Sequence, residues 1–317
     1  MKQTPFELAH AREWSEFEQF LDKKTGFDPA EMPARFRRLC QHLALAAERR
    51  YSADLVDRLN RLALRGHHAL YSNRRRESQQ VLEFMLAGLP RLVRQEWRLV
   101  TAAALLFFGP LLALIALLQQ FPDFVHYLLA PEQIANFHQM YDPANRRIGM
   151  READTNVLMF GFYIWNNVRI GFQTFAGGML AGVGSAWFLG ANGVIIGAVA
   201  GYLTHAGFGE TFWSFVAGHS APELVAIVLS GAAGLRLGLA VIAPGNLSRK
   251  AALVAAARPA VRIMYGAALM FLAAAFVEAF WSPLTEVPFN VKIAVGGAGW
   301  ALLAAYFIFA GRARAAR

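Results

Sequence analysis

The chain has 317 residues, of which 56% are hydrophobic and 17% charged, with 27 glycines and a positive mean hydropathy of 0.33. That is too apolar and too weakly charged for an average soluble enzyme, and it excludes a disordered, collagen-like or coiled-coil chain. The formal net charge of +9 does not call for nucleic acid, because the cytoplasmic loops of a polytopic membrane protein collect arginine and lysine by themselves. A lone Cys40 rules out an intramolecular disulfide and any multi-cysteine metal centre.

The amino-terminal part is polar. Up to Arg98 the chain holds 18 Lys+Arg and 13 Asp+Glu, and most of the remaining charge lies between or beyond long apolar runs. Two domains follow: a cytoplasmic helical domain over 1–97 and a transmembrane bundle over 98–317. The opening MKQTPFELAHAREWSEFEQF has no apolar core and carries Glu7, Glu13, Glu16 and Glu18, so it is not a signal peptide and is expected to stay in the cytoplasm. Phe36, Leu39, Cys40, Leu43 and Ala46, then Leu55, Leu59, Leu62 and Leu64, recur at helical spacing with arginines on the other faces. Asp28-Pro29 and Met32-Pro33 read as helix starts, and the pattern predicts about three to four helices. Arg74-Arg75-Arg76 reads as a solvated face, because Glu77 and Glu83 follow closely; the alternative is contact with anionic headgroups.

From Leu99 to Leu118 the chain is uncharged, about the length that crosses a bilayer core of roughly 30 Å. A polar loop over 120–154 follows, with an interfacial helix over Pro131 to Tyr141. Thr155 to Thr204 has Arg169 as its only charge and is too long for one crossing. With the later apolar runs the expected spans are 99–119, 155 to about 186, about 187 to 205, 217–242, 261–281 and 289–310. The second is overlong, so a break or half-helix is expected near Gly171 or Gly177-Gly178. Arg249, Lys250, Arg258 and Arg262 make one loop basic, and Arg312, Arg314 and Arg317 the tail, so both termini are expected in the cytoplasm. Arg146, Arg147 and Arg151 outside are a mild violation.

Sixteen of the 27 glycines lie between Gly171 and Gly245. Gly178 and Gly182 repeat at four, as do Gly193, Gly197 and Gly201, and Gly234 and Gly238. Such faces let backbones approach closely in lipid. They serve packing within one chain or a homodimer seam.

Polar groups at membrane depth are costly unless they are paired or face water. The candidate polar cluster is Asn166, Asn167, Asn192, His219, Glu223 and Glu278. Arg169 and Arg236 are expected to snorkel to an interface. In GHSAPELVAI, either Pro222 opens a helix with Glu223 in its first turn, or the helix runs through and His219 and Glu223 share a face at i and i+4. The pair is then either a structural hydrogen bond or a site that responds to protons or metal. His219 and Glu223 alone are too few for a metal, so neither metal nor cofactor is expected, and no HExxH, GxSxG, Walker A or Rossmann motif supports catalysis.

The segment NNVRIGFQTFAGGMLAGVGSAWFLGANGVIIGAVAGYL, followed by GHSAPELVAIVLSGAAGLRLG, resembles the stage II sporulation protein M family. The resemblance rests on Asn166 and Asn167, on Asn192 and Gly193, and on His219, Glu223, Leu224, Ala226, Ile227 and Ala233 to Gly238. It covers roughly 155–290, with Glu278 also similar to a family position. The family's Pro-His-Gly before the glutamate is here Gly218-His219-Ser220, with the proline moved to Pro222. FRRLCQHLALAAERR and LNRLALRGHHALY look like the cytoplasmic extension of a large bacterial subgroup. The resemblance implies an all-α, non-enzymatic protein of the bacterial inner membrane. Its role would be a scaffold or anchor that couples a cytoplasmic partner, such as a MoxR-type ATPase system, to envelope processes. The expected partners are thus the bilayer, that cytoplasmic protein, and a second copy docked through glycine-rich faces. A transporter or channel with a polar site around His219 and Glu223 is the other class.

Overall fold

Helices are the only regular elements among the described residues. The computed structural model describes residues 2–22, 28–142 and 153–312, apart from the side chains of residues 29, 71–78, 153 and 154. Arg146, Arg147, Arg151, Arg314 and Arg317 and the side chains of Arg74 to Arg76 lie outside what is described. The chain divides into two units, Met1–Phe84 and Met85–Arg317.

The first unit holds α1 (Gln3–Leu21), α2 (Met32–Glu48) and α3 (Ala53–Glu83). Pro33 sits in the first turn of α2, where a missing N–H costs nothing. Its core is built from large side chains: Phe6, Trp14 and Phe17 of α1, Met32, Leu39 and Ala46 of α2, and Leu55, Leu59, Leu62 and Ala63 of α3. Gly66 lets the rings of Phe17 and Phe36 close over α3, since a Cβ there would stand 3.0 Å from Phe17. Leu64, expected in the stripe, is 54% exposed. It lies two residues past Leu62, about 200° around the helix, so Ala63 takes the inward place.

The second unit begins earlier than the sequence suggests. Residues 85–97 read as part of the amino-terminal domain, but α4 (Leu89–Gln95) buries Leu89, Pro90, Leu92 and Val93 and packs on the bundle helices α10 and α11. Arg94 donates to the carbonyls of Phe307 and Ala310 (2.8 Å to Ala310), and Arg91 to that of Gly311 (2.6 Å), which satisfies the free carbonyls at the end of α11. An amphipathic stripe looks the same whether it packs in a soluble core or on a bundle, hence the misplaced boundary.

The bundle comprises α5 (Trp97–Gln120), α7 (Ala153–Ala176), α8 (Val183–His205), α9 (Gly209–Ile242), α10 (Arg249–Phe280) and α11 (Phe289–Phe309). The short α6 (Pro131–Tyr141) lies where the sequence predicts it. Among the described residues five helices, α5 and α8 to α11, are long and apolar enough to cross a membrane. α7 has 24 residues but carries Asn166, Asn167, Arg169 and Gln173, and it completes the six of the sequence reading only by length. α9 is the hub and packs against α5, α7, α8, α10 and α11.

Glycine decides how these helices meet. The expected break falls at Gly177–Met179, a 3-10 turn, and not at Gly171, which is inside α7. It makes no half-helix; it is the tight connection from α7 to α8, completed by Gly182 at φ 82°. A Cβ on Gly178 would stand 2.6 Å from the Gly234 Cα, and one on Gly238 would stand 2.7 Å from the Ala181 carbonyl carbon, so this turn lies directly on α9. Along α8, a Cβ on Gly193 would meet Pro110, one on Gly197 the Leu111 carbonyl oxygen at 2.6 Å, and one on Gly201 Ile115. The repeats at four therefore seat α8 on α5 and the turn on α9, which is packing within one chain.

Candidate functional site

α9 runs unbroken from Gly209 through Pro222, so His219 and Glu223 share one face a turn apart rather than flanking a helix start. A transmembrane helix tolerates an internal proline because its neighbours can satisfy the freed backbone. His219 is 4% exposed. Its Nδ1 lies 2.9 Å from Ser282 Oγ, and its Nε2 lies 3.8 Å from Glu223 Oε2, beyond hydrogen-bonding range. Glu278, near the end of α10, joins them: one ligand atom from each of His219, Glu223 and Glu278 lies within 4.8 Å of the others. Phe215 abuts the imidazole edge-on, with ring centroids 5.5 Å apart.

The surrounding elements hold this group in place. Gly218 leaves room for the Trp281 ring against α9, and Gly296 brings α11 to the Ala217 carbonyl, 2.6 Å from where a Cβ would sit. Trp300 donates its indole N–H to Ser220 Oγ at 3.2 Å. Tyr163 of α7 packs with Ala275 and Ala279 on the turn of α10 that carries Glu278. Lys292, only 4% exposed, donates to the Ser282 carbonyl at 2.8 Å and lies 5.8 Å from the Trp281 ring centroid.

Three of the six expected cluster residues come together here. The asparagine amides turn to other groups: Asn192 donates to the Phe188 carbonyl at 2.7 Å, and Asn166 to Asn167 Oδ1 at 3.3 Å. Asn167 Nδ2 is buried without a hydrogen-bond partner. Arg236 of α9 pairs with Glu96 at 3.0 Å, an acid at the start of α5, and its side chain keeps about a third of its exposure. Arg169 lies over the Trp165 ring, 4.7 Å from its centroid. Sequence reasoning overlooked Lys292, although a single lysine inside the otherwise uncharged stretch 289–310 was a signal. It also overlooked Ser282, which carries no signal of its own.

A second set of close ligand types, His10, Glu13 and His42, lies in the first unit. Trp14 donates to His42 Nδ1 at 3.1 Å, and Arg38 pairs with Glu13 at 3.2 Å. Burial, and then the neighbouring His10, pushes the His42 pKa below its usual value.

Residues 102–283, more than half of the chain, match the description Stage II sporulation protein M. The chain belongs to the stage II sporulation protein M family. The matched region takes in His219, Glu223, Glu278 and Ser282, but it stops short of Lys292 and α11. It begins earlier than the roughly 155 expected, because α5 is part of it. Residues 4–72 separately match a Domain of unknown function (DUF8413). Neither the curated proteins nor the solved structures compared with the chain give a match. As a member of this family with five helices able to cross a bilayer, it is a membrane protein.

Proposed function

We propose that the protein is a non-enzymatic scaffold of the bacterial inner membrane. Its first unit, cytoplasmic together with both termini, docks a cytoplasmic partner, and its bundle anchors that partner to envelope processes. The observation that carries this reading is the backbone-to-backbone seating of α8 on α5 and of the α7–α8 turn on α9. Interfaces without side-chain padding leave little play for the rocking that alternating access requires, and they suit an anchor. The separate side-chain core of the first unit suits an independently folded docking module. By family resemblance, the partner class is a MoxR-type ATPase system. A second copy of the chain is a further proposed partner, and it must use a face other than Gly193–Gly197–Gly201, which α5 covers.

Chemical crosslinking in intact membranes, followed by purification of the full chain, tests this. The expected result is a cytoplasmic protein captured by the full chain and lost when residues 2–84 are deleted. Capture that survives the deletion overturns the docking role of the first unit. The transport reading keeps one specific observation in its favour, the group of the buried His219 with the half-buried Glu223 and Glu278. Glu223→Gln separates the two: partner capture unchanged supports the scaffold, whereas loss of a proton or cation flux in proteoliposomes with folding intact supports transport. Topology is checked by cysteine at position 250, which reagents reach only from the cytoplasmic side if the basic loop lies there.

A further inference from the structure

We infer that His219, Glu223 and Glu278 form a binding site for one divalent transition-metal ion of the Zn2+ class. The donor set is one imidazole nitrogen and two carboxylates, a mixture that suits first-row divalent ions better than Mg2+ or Ca2+, which take oxygen alone. Geometry supports the same ion. The 3.8 Å between His219 Nε2 and Glu223 Oε2 is too long for a hydrogen bond, yet it is close to the ~3.4 Å that separates two ligands of a tetrahedral ion bound at about 2.1 Å. The third donor comes from Glu278, with all three ligand atoms within 4.8 Å of one another. Small rotations of two glutamate side chains close that set around an ion, and water fills the fourth position.

The outer shell is that of a metal-bound histidine. Nδ1 is engaged by Ser282 Oγ at 2.9 Å, which orients the ring and turns Nε2 to the carboxylates. Ser282 is held in turn through its carbonyl by Lys292 at 2.8 Å. Both carboxylates are half-buried, and their ligand atoms converge with the imidazole nitrogen on one point that a cation can occupy. A proton would satisfy the carboxylates and leave the imidazole Nε2 without a role, whereas a transition metal uses all three groups. Glu223 is the less enclosed of the pair, its side chain keeping 18% exposure against 5% for His219. Glu278 lies two residues from the end of α10 at Phe280, so the site sits near that end of the bundle rather than at its centre. The group in the first unit differs: Glu13 is paired with Arg38, whose charge opposes a cation.

The test uses the full chain in detergent, freed of any affinity tag and stripped of metal, carrying His10→Ala and His42→Ala to remove the other histidine group. Isothermal titration with Zn2+ and the metal content after gel filtration are measured. One Zn2+ per chain is expected, unaffected by excess Mg2+, with affinity falling at least tenfold in Glu223→Gln and in Glu278→Gln. Failure of the His10/His42 variant to retain Zn2+, or retention undiminished in His219→Ala/Glu223→Gln/Glu278→Gln, overturns the site. Should the glutamine variants aggregate, Co2+ bound to the His10/His42 variant decides. A visible d–d absorption of four- or five-coordinate Co2+, displaced by one equivalent of Zn2+, sustains the proposal, and the spectrum of the hydrated ion refutes it.

Discussion

The two units solve the same problem, packing helices, with opposite materials. In the first, Trp14, Phe17 and Leu59 fill the space between helices, because removing large apolar side chains from water is what drives a soluble core together. In the bundle, Gly178, Gly193, Gly197 and Gly234 bring backbones into contact, because lipid already solvates apolar side chains and only close packing and hydrogen bonds remain to hold helices together. The lesson is that the first unit is weakened by losing a large core side chain, whereas the bundle is weakened by gaining one at these glycines.

The largest expected effects test this contrast directly. Gly178→Leu or Gly234→Leu forces a side chain into the backbone of the facing helix, and no monodisperse protein should be recovered on gel filtration. Gly190→Ala, with nothing within 4 Å, should be recovered at the parent's yield, and equal yields from Gly178→Leu would break the comparison. In the first unit the opposite change is the damaging one. Phe17→Ala removes a ring that is 2% exposed and should cost about 3–5 kcal/mol, read by urea unfolding of residues 1–84 expressed alone. That fragment is expected to show a helical circular dichroism spectrum and a cooperative melt; a random-coil spectrum would refute its independence.

Smaller effects sharpen the contrast at its polar groups. Arg236→Ala leaves Glu96, whose side chain is 12% exposed, without its partner. Because Arg236 itself is about a third exposed, a loss of roughly 1 kcal/mol is expected, measured as a lower thermal midpoint in detergent. The smallest effect is a pH dependence confined to the first unit. His42 is held below its ordinary value of 6.5, so the folded unit binds the proton more weakly than the unfolded chain. Its contribution is therefore fully present above pH 6.5 and is lost as the pH falls below that value. A melt of residues 1–84 should drop in midpoint between pH 7 and pH 5, and His42→Phe should flatten that dependence. Arg35, and then Arg12, holds the exposed Glu16 carboxyl low, which adds the same sign at more acidic pH.

Composition and spacing by themselves determined the membrane class, the all-helical fold, α6, the glycine faces and the identity of His219, Glu223 and Glu278 as polar groups out of place in lipid. These are local properties: a run of apolar residues has a length, a repeat at four has a face, and a carboxylate in a span carries a cost wherever the span goes. The sequence could not tell that α4 belongs to the bundle, since the burial of Leu89 and the capping of α11 by Arg91 and Arg94 depend on a partner some two hundred residues away. Nor could it tell which polar groups meet. His219 and Glu223 share a face by periodicity alone. Only the packing of α10 on α9 brings Glu278 and Ser282 to that face, while Asn192 bonds the Phe188 carbonyl and Asn166 bonds Asn167. Helical periodicity fixes direction within one element, whereas proximity between elements is set by how backbones dock, and here that docking is decided at the glycines.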